Sequence, residues 1–433
     1  MSDIQLSKEQ LNAFEILQTT KKNVFIQGQA GSGKSTFIHY LKDHLNKEMV
    51  LCSPTAVAAM NIGGMTLHSF FKLPIADYIT DDILFKRNRK NIKEIVQSME
   101  VLVIDEVSMV RPDILDAIDK LTKIMRKSYK PFGGIQVVLI GDLYQLPPVI
   151  TSNTYDIFKE KYGTKDVYFF DSPSYQDGKF TKIIFNKIYR QENTDLIDNL
   201  NNLRENKNLS ASLNYFNSCK IEDKDVLKNA MTITPYRVKA DELNEEKLKA
   251  LKGKAKTYKA IMDGSFKTAT QYPAPKELSL KKGALVMFNK NNLPEWLNGS
   301  TGIVEDLKND AILVKLISNN ETVIVTREEW ENKEYKIQTI RNEDNEEEKI
   351  IEEETTGTFH QFPLQLGWAS TIHKAQGKTL DKVIVDIGYG TFAHGQLYVA
   401  LSRTRNKEDM HICGTIKKHD SIISPRVVEF MKN

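Results

Sequence analysis

Short apolar runs punctuate the first 190 residues: 23–27 (NVFIQ), 49–53 (MVLCS), 101–104 (VLVI), 136–140 (QVVLI) and 182–186 (KIIFN). Each is too short for a helix, and their β-branched content with polar boundaries predicts buried strands. Between them apolar side chains recur at helical spacing, as in TFIHYLKDHL (36–45). Strand and helix in alternation predict an α/β unit, a parallel sheet covered on both faces. A polar insertion over 72–94 interrupts it and holds the basic cluster Lys86-Arg87-Asn88-Arg89-Lys90. A second strand, turn and helix follow over 231–251. From 252 to 356 the period shifts to two, in KTYKAI, GALVMF, GIVEDL, AILVKLI, ETVIVT and YKIQTI, with turn signals at Lys282-Gly283, Asn298-Gly299 and Asn319-Asn320. That predicts a small antiparallel β-barrel inserted in a second α/β unit, which resumes at LGWAS (366–370) and KVIVDI (382–387). The acidic stretch from Glu343 to Glu354 reads as an exposed loop or hairpin tip.

Three motifs fall at the ends of predicted strands. GQAGSGKS (28–35) fits G-x-x-x-x-G-K-[ST] between a strand and a helix, the context in which backbone N–H groups and a helix N-terminus cradle phosphates. Gly28, Gly31, Ser32, Gly33, Lys34, Ser35 and Thr36 then bind nucleotide. Lys34 neutralises the β/γ-phosphates and the Ser35 hydroxyl ligates Mg²⁺. Asp105 and Glu106 close the run VLVI. Asp105 can hold Mg²⁺ through water, and Glu106 can orient and deprotonate the attacking water. GDLYQLPPV (141–149) follows another buried strand, and its Gln145 amide can bond a γ-phosphate oxygen and lose that bond after cleavage. Together these predict an ATPase. Arginines from a second domain would make it a motor, and two qualify: Arg190 in IYRQE and Arg403 in QLYVALSRTR.

The rest of the composition narrows the setting. The 433 residues allow two to four domains, and a formal net charge of +3 confines any nucleic-acid surface to local patches. Cys52, Cys219 and Cys413 form no C-x-x-C pair, which argues against a zinc module or disulfide framework and fits a reducing compartment. With a polar start and no membrane-length apolar run, the expectation is an intracellular, cytoplasmic protein with no membrane partner.

The ordered set resembles a superfamily 1 helicase, most similar to the petite-integration-frequency (PIF) family near the RecD-like enzymes. The resemblance rests on SPTAVAAMNIGGMTLHSFF (53–71), DEVSM (105–109), PFGGIQVVLIGDLYQLPPV (131–149), YRQ (189–191), STIHKAQGKTLDKVIVD (370–386) and LYVALSRTR (397–405). The segment LDAIDKLTKIMRKSYK (115–130) follows the family signature only loosely. The resemblance implies two RecA-like parallel-sheet domains, 1–188 and 189–251 plus 357–433. To these it adds a wedge-like insertion at 72–94 and the inserted barrel at 252–356. It implies that Gln10 reads adenine and that Gly377 lies near the nucleotide. Thr55, Thr66, His68, Thr371, His373 and Lys374 would contact single-stranded DNA through its backbone. The implied activity is ATP-dependent unwinding of tailed or forked duplex, 5′ to 3′, by a monomer; guanine quadruplexes and RNA–DNA hybrids are further substrates it suggests. A RecD-like subunit of a larger repair or recombination complex is the alternative. A scaffold that uses ATP only as a clamp fits less well, since it has no need of Glu106 and two arginines.

Overall fold

Four of the short apolar runs are strands buried on nearly every residue, which is how a parallel sheet under helices accommodates near-continuous Val, Ile and Leu, while the fifth, at 182–186, is an edge strand with Ile184 exposed. The computed structural model describes residues 5–86, 89–189, 193–221, 230–269, 272–292, 294–341 and 347–432. It divides into two compact units: Met1–Leu143, Pro147–Tyr189 and Asn332–Thr356 form the first, and Tyr144–Leu146, Arg190–Glu331 and Gly357–Asn433 the second.

In the first unit β1 (Val24–Gly28), β2 (Met49–Ser53), β3 (Met65–Thr66), β4 (Val101–Ile104), β5 (Gln136–Gly141) and β6 (Thr181–Phe185) form one sheet in the order β3-β2-β4-β5-β1-β6. Every pair is parallel. Phe37, Ile38 and Leu41 of the helix Lys34–His44 and Ala13 and Leu17 of the helix Lys8–Thr19 close its core over Val24, Ile26, Val101, Val103, Val138 and Ile140.

The helix Pro112–Arg126 explains the glycines of PFGGIQ. Gly133 has φ 65°, and a Cβ there would lie 2.7 Å from the Thr122 carbonyl oxygen, so only glycine fits the contact. Asp119 of the same helix accepts the Phe132 N–H at 2.6 Å. The loosely matching segment is thus the helix against which the PFGG turn is built.

The insertion carries the helices Asp81–Phe85 and Lys90–Ser98. Arg111 pairs with both oxygens of Asp113 at 2.9 Å and donates to the Ala76 carbonyl, while Asp113 also accepts the Ile79 N–H. Arg89 donates to the carbonyls of Phe71 and Lys72. Arg87 and Asn88 of the basic cluster lie outside the described residues.

Residues 332–356, expected within the inserted barrel, pack in the first unit. They belong to two long strands, Glu328–Arg341 and Glu347–Gln361. Tyr335 is buried, its hydroxyl accepts the Leu51 N–H at 3.0 Å, and its ring meets Phe70 edge-on. β3 pairs with β2 only at Cys52 and Ser53, which leaves the Leu51 amide in need of this acceptor. Glu353 bonds Lys42 at 2.6 Å and Lys333 at 3.1 Å. The described part of the acidic stretch is therefore strand, with Glu353 and Glu354 paired to lysines, and the rest lies outside the described residues.

In the second unit β7 (Lys220–Ile221), β8 (Met231–Thr234), β9 (Ala369–Thr371), β10 (Val383–Val385) and β11 (Met410–Cys413) form a parallel sheet in the order β9-β8-β10-β11-β7. The period-two region gives a five-stranded antiparallel sheet, in the order Thr322–Val325, Ile312–Leu316, Thr301–Leu307, Leu285–Phe288 and Leu364–Leu366. Its core includes Trp296, Phe288, Val314 and Trp368. Among the described residues its outer strands do not pair with each other, so the sheet is open where a barrel was expected. Alternation in sequence fixes strand faces, whereas closure depends on tilt and stagger that alternation does not encode.

Candidate nucleotide and nucleic-acid sites

In the first unit the functional side chains line one edge of the sheet, the carboxyl ends of its strands, where open parallel sheets bind ligands. The phosphate loop leaves β1 there. Gly31 and Gly33 have φ 81° and 80°, a turn that side chains resist. A Cβ on Gly28 would lie 2.3 Å from Ser32 Oγ. Ser32 Oγ is buried with no hydrogen-bond partner among the described residues, an orphan that a phosphate oxygen would satisfy. Lys34 Nζ bonds the carbonyls of Gly28 and Gln29 at 2.7 and 3.0 Å, so its ammonium lies over the loop. Ser35 and Thr36 are exposed in the first turn of the following helix.

Asp105 and Glu106 follow β4. Asp105 is buried; burial, then the charge of Glu106, push it up to about 7, against a backbone N–H bond from Glu106 and the charge of Lys34. Glu106 is half-buried with φ 51° and ψ 40°, a left-handed conformation uncommon for a side chain that size. A cation suits this environment. The Asp105 carboxylate and Ser35 hydroxyl are hard oxygen donors of the kind Mg²⁺ takes while keeping most of its waters. Among the described residues no group of three or more His, Cys, Asp or Glu side chains could hold a metal by itself.

Two residues to which the sequence motifs gave no role, Gln27 and the Tyr189 of YRQ, hold this edge together. Gln27, the polar residue of β1, donates to buried Asp142 at 2.7 Å and accepts the Leu143 N–H at 3.1 Å. It ties the end of β5 to the phosphate loop. Tyr189 donates its N–H to the Gly31 carbonyl at 2.8 Å, and its half-exposed ring lies 3.4 Å from a Cβ placed on Gly33. An aromatic face beside the phosphate loop suits a purine. Gln10 is buried with its Nε2 3.0 Å from that same Cβ position. Its Oε1 accepts the Ser7 N–H in a capping box, so part of its amide is committed to the helix Lys8–Thr19.

The threonines implied as DNA contacts share one position. Thr55 caps the helix Ala56–Asn61 after β2, and Thr66 caps Leu67–Phe70 after β3. In the second unit Thr371 caps Ile372–Ala375 after β9. Each hydroxyl accepts a backbone N–H three residues on, so each sits where a strand gives way to a helix and free N–H groups face outward. His68 is held below its ordinary value by burial and then by Arg111, with Asp113 opposing. His373 is lowered by the protein around it. Both are neutral at neutral pH and offer hydrogen bonds rather than charge. Lys374 is exposed, and half-buried Lys378, unmarked by any motif role, is pushed down to about 8 by burial and by Lys374.

Gln145 is buried and belongs with Tyr144 and Leu146 to the second unit, where its carbonyl lies 2.4 Å from a Cβ built on Gly395. Arg403 is fully buried. Its guanidinium donates to the carbonyls of Val399, Ala375 and Lys378 and to Ser402 Oγ, which holds the HKAQG segment in place. Gly377 there is exposed, with φ 78° and open space around its Cβ position. Arg190 lies outside the described residues.

Residues 5–225 match the profile of PIF1-like helicases. The chain belongs to the PIF1-like helicase family. Residues 366–407 match the UvrD-like helicase C-terminal domain. The ATP-dependent DNA helicase Pif1 of Bdellovibrio bacteriovorus is 31% identical over 99% of this chain and 92% of its own. That of Psychrobacter is 32% identical over 94% and 68%. Among solved structures, Bacteroides Pif1 in complex with ADP-AlF4 superposes with a TM-score of 0.89 at 36% identity, covering 99% of this chain and 97% of that one. Candida albicans Pif1 gives 0.72 at 30% identity with 99% of each covered. No described helix is long and apolar enough to cross a membrane.

Proposed function

We propose that this ATP-dependent DNA helicase of the PIF1-like family cleaves ATP on its first unit and moves 5′ to 3′ along single-stranded DNA as it does so. The observation that carries the reading is the shared sheet edge. The phosphate loop and the Asp105–Glu106 pair sit at the ends of β1 and β4, and Thr55 and Thr66 sit at the ends of β2 and β3 in the same sheet. A change in the acid turn after β4 is thus one strand away from a DNA-contacting turn after β2.

The roles follow from the chemistry. Gly28, Gly31, Ser32, Gly33, Lys34 and Thr36 hold the phosphates, and Tyr189 with Gln10 holds the base. Ser35 and Asp105 would hold Mg²⁺, which screens phosphate charge when bound. Glu106 takes the proton of the attacking water, and Gln145 reports whether the γ-phosphate is still present. Arg190 supplies positive charge to the transition state, and Arg403 supplies either that charge or the placement of the segment around Gly377. Thr55, Thr66, His68, Thr371, His373 and Lys374 grip the DNA backbone without reading bases.

Direction rests on the family resemblance alone. A monomer suffices in this reading; one similar solved structure concerns unwinding at forked duplex DNA by two coordinating Pif1 helicases, and that arrangement is the alternative on forks. The test is steady-state ATP turnover of the purified chain with and without oligo(dT). Turnover that rises severalfold or more with the strand supports the coupling; equal turnover in both conditions overturns it.

A further inference from the structure

The second unit presents an aromatic cluster that the nucleotide chemistry does not use. Tyr389 is fully exposed (101%) and Phe392 largely so (59%). Tyr389 stands at the tip of a turn between Gly388 (φ 58°) and Gly390 (φ 112°). The tip is braced. Tyr236 donates its hydroxyl to the Gly390 carbonyl at 3.1 Å, and its ring lies 5.9 Å from that of Phe392. Thr391 Oγ1 donates to the Asp420 carbonyl at 2.6 Å. The backbone is therefore held while the Tyr389 ring faces water, with the partly exposed Phe392 ring three residues on.

The tip's place in the sheet indicates what these rings would meet. β9, β8 and β10 are adjacent and parallel, with Thr371 opposite Thr234 and Val385 opposite Ile233. Their carboxyl ends therefore form one rim. It carries Thr371, His373 and Lys374 after β9, Tyr236 and Arg237 after β8, and Tyr389 and Phe392 after β10. Neighbouring strands are about 4.8 Å apart, so the two outer ends are roughly 10 Å from each other. The rim also holds Lys239, paired with Asp386 at 2.8 Å, while exposed Arg237 lies 3.4 Å from Asp241. Lys374 is exposed. A phosphate-gripping shelf continued by exposed rings suits a strand whose bases are free to stack.

We propose that Tyr389 and Phe392 form a stacking platform for the bases of single-stranded DNA, continuing the backbone contacts of Thr371, His373 and Lys374. The proposal rests on the reading of those three residues as DNA contacts. Stacking needs bases and a π-face, and backbone gripping needs neither, so the two are separable. Binding of the full chain is measured by fluorescence anisotropy with oligo(dT) and with an abasic strand of the same length.

The wild type should prefer oligo(dT). The double variant Tyr389→Ala/Phe392→Ala should lose roughly tenfold or more in affinity for oligo(dT) while keeping its affinity for the abasic strand. Tyr389→Trp should keep or tighten binding of oligo(dT), and Tyr389→Leu should weaken it. Unchanged oligo(dT) affinity in the double variant overturns the platform, as does an equal loss on both strands, which marks a purely structural role. A wild type that binds neither strand overturns the DNA reading beneath it as well.

Discussion

Glu106→Gln should bind ATP with near wild-type affinity and turn it over roughly 10²–10⁴-fold more slowly, the usual worth of a positioned general base. The carboxamide matches the carboxylate in shape and still bonds water, so the loss falls on proton acceptance alone. Glu106 stands in a left-handed turn directly after β4, so the turn is anchored to the sheet. Gly141 at the end of β5 lies against that turn, a Cβ there meeting Val107 at 3.1 Å. Lys34→Ala should fail differently. The ammonium over the phosphate loop is lost, and both nucleotide affinity and turnover fall. Fluorescent-nucleotide binding measured beside phosphate release separates the two, and wild-type turnover in Glu106→Gln would remove it as the base.

Arg403→Ala should lower both the melting temperature and turnover. The guanidinium is fully buried and bonds three backbone carbonyls of its own unit, and leaving those acceptors without it costs on the order of 3 kcal/mol or more. Two of the carbonyls, Ala375 and Lys378, flank Gly377, so the segment proposed to lie near the nucleotide loses its support. Arg403→Lys should recover only part of either property, because an ammonium lacks the planar fork that spans several acceptors. An arginine serving only as a charge for the γ-phosphate would behave otherwise, with turnover falling by orders of magnitude at an unchanged melting temperature. Thermal denaturation and single-turnover hydrolysis on the same preparations decide between these duties.

The parts of this molecule most legible in sequence were those whose chemistry is local. A glycine-rich turn between a buried strand and a helix has few alternatives, and two acids closing an apolar strand land at a sheet edge whatever surrounds them. The helix-capping place shared by Thr55, Thr66 and Thr371 is likewise set by neighbouring residues. Residues that act across the chain were hidden. Gln27 is one polar side chain in a strand, and its partner Asp142 lies 115 positions away. Tyr335 lies in a strand of alternating pattern and bonds a backbone amide 284 positions earlier. The open antiparallel sheet differs from the expected barrel because closure is set by strand geometry, and the buried guanidinium of Arg403 shows that a motif arginine can be engaged with its own unit.

The most direct measurement is unwinding of tailed duplexes by the purified wild-type chain with ATP. A duplex carrying a 5′ single-stranded tail should be separated and one carrying a 3′ tail left intact, with no separation by Glu106→Gln on either. Failure on both tails, alongside ATP turnover indifferent to single-stranded DNA, would contradict the coupling of hydrolysis to movement along a strand.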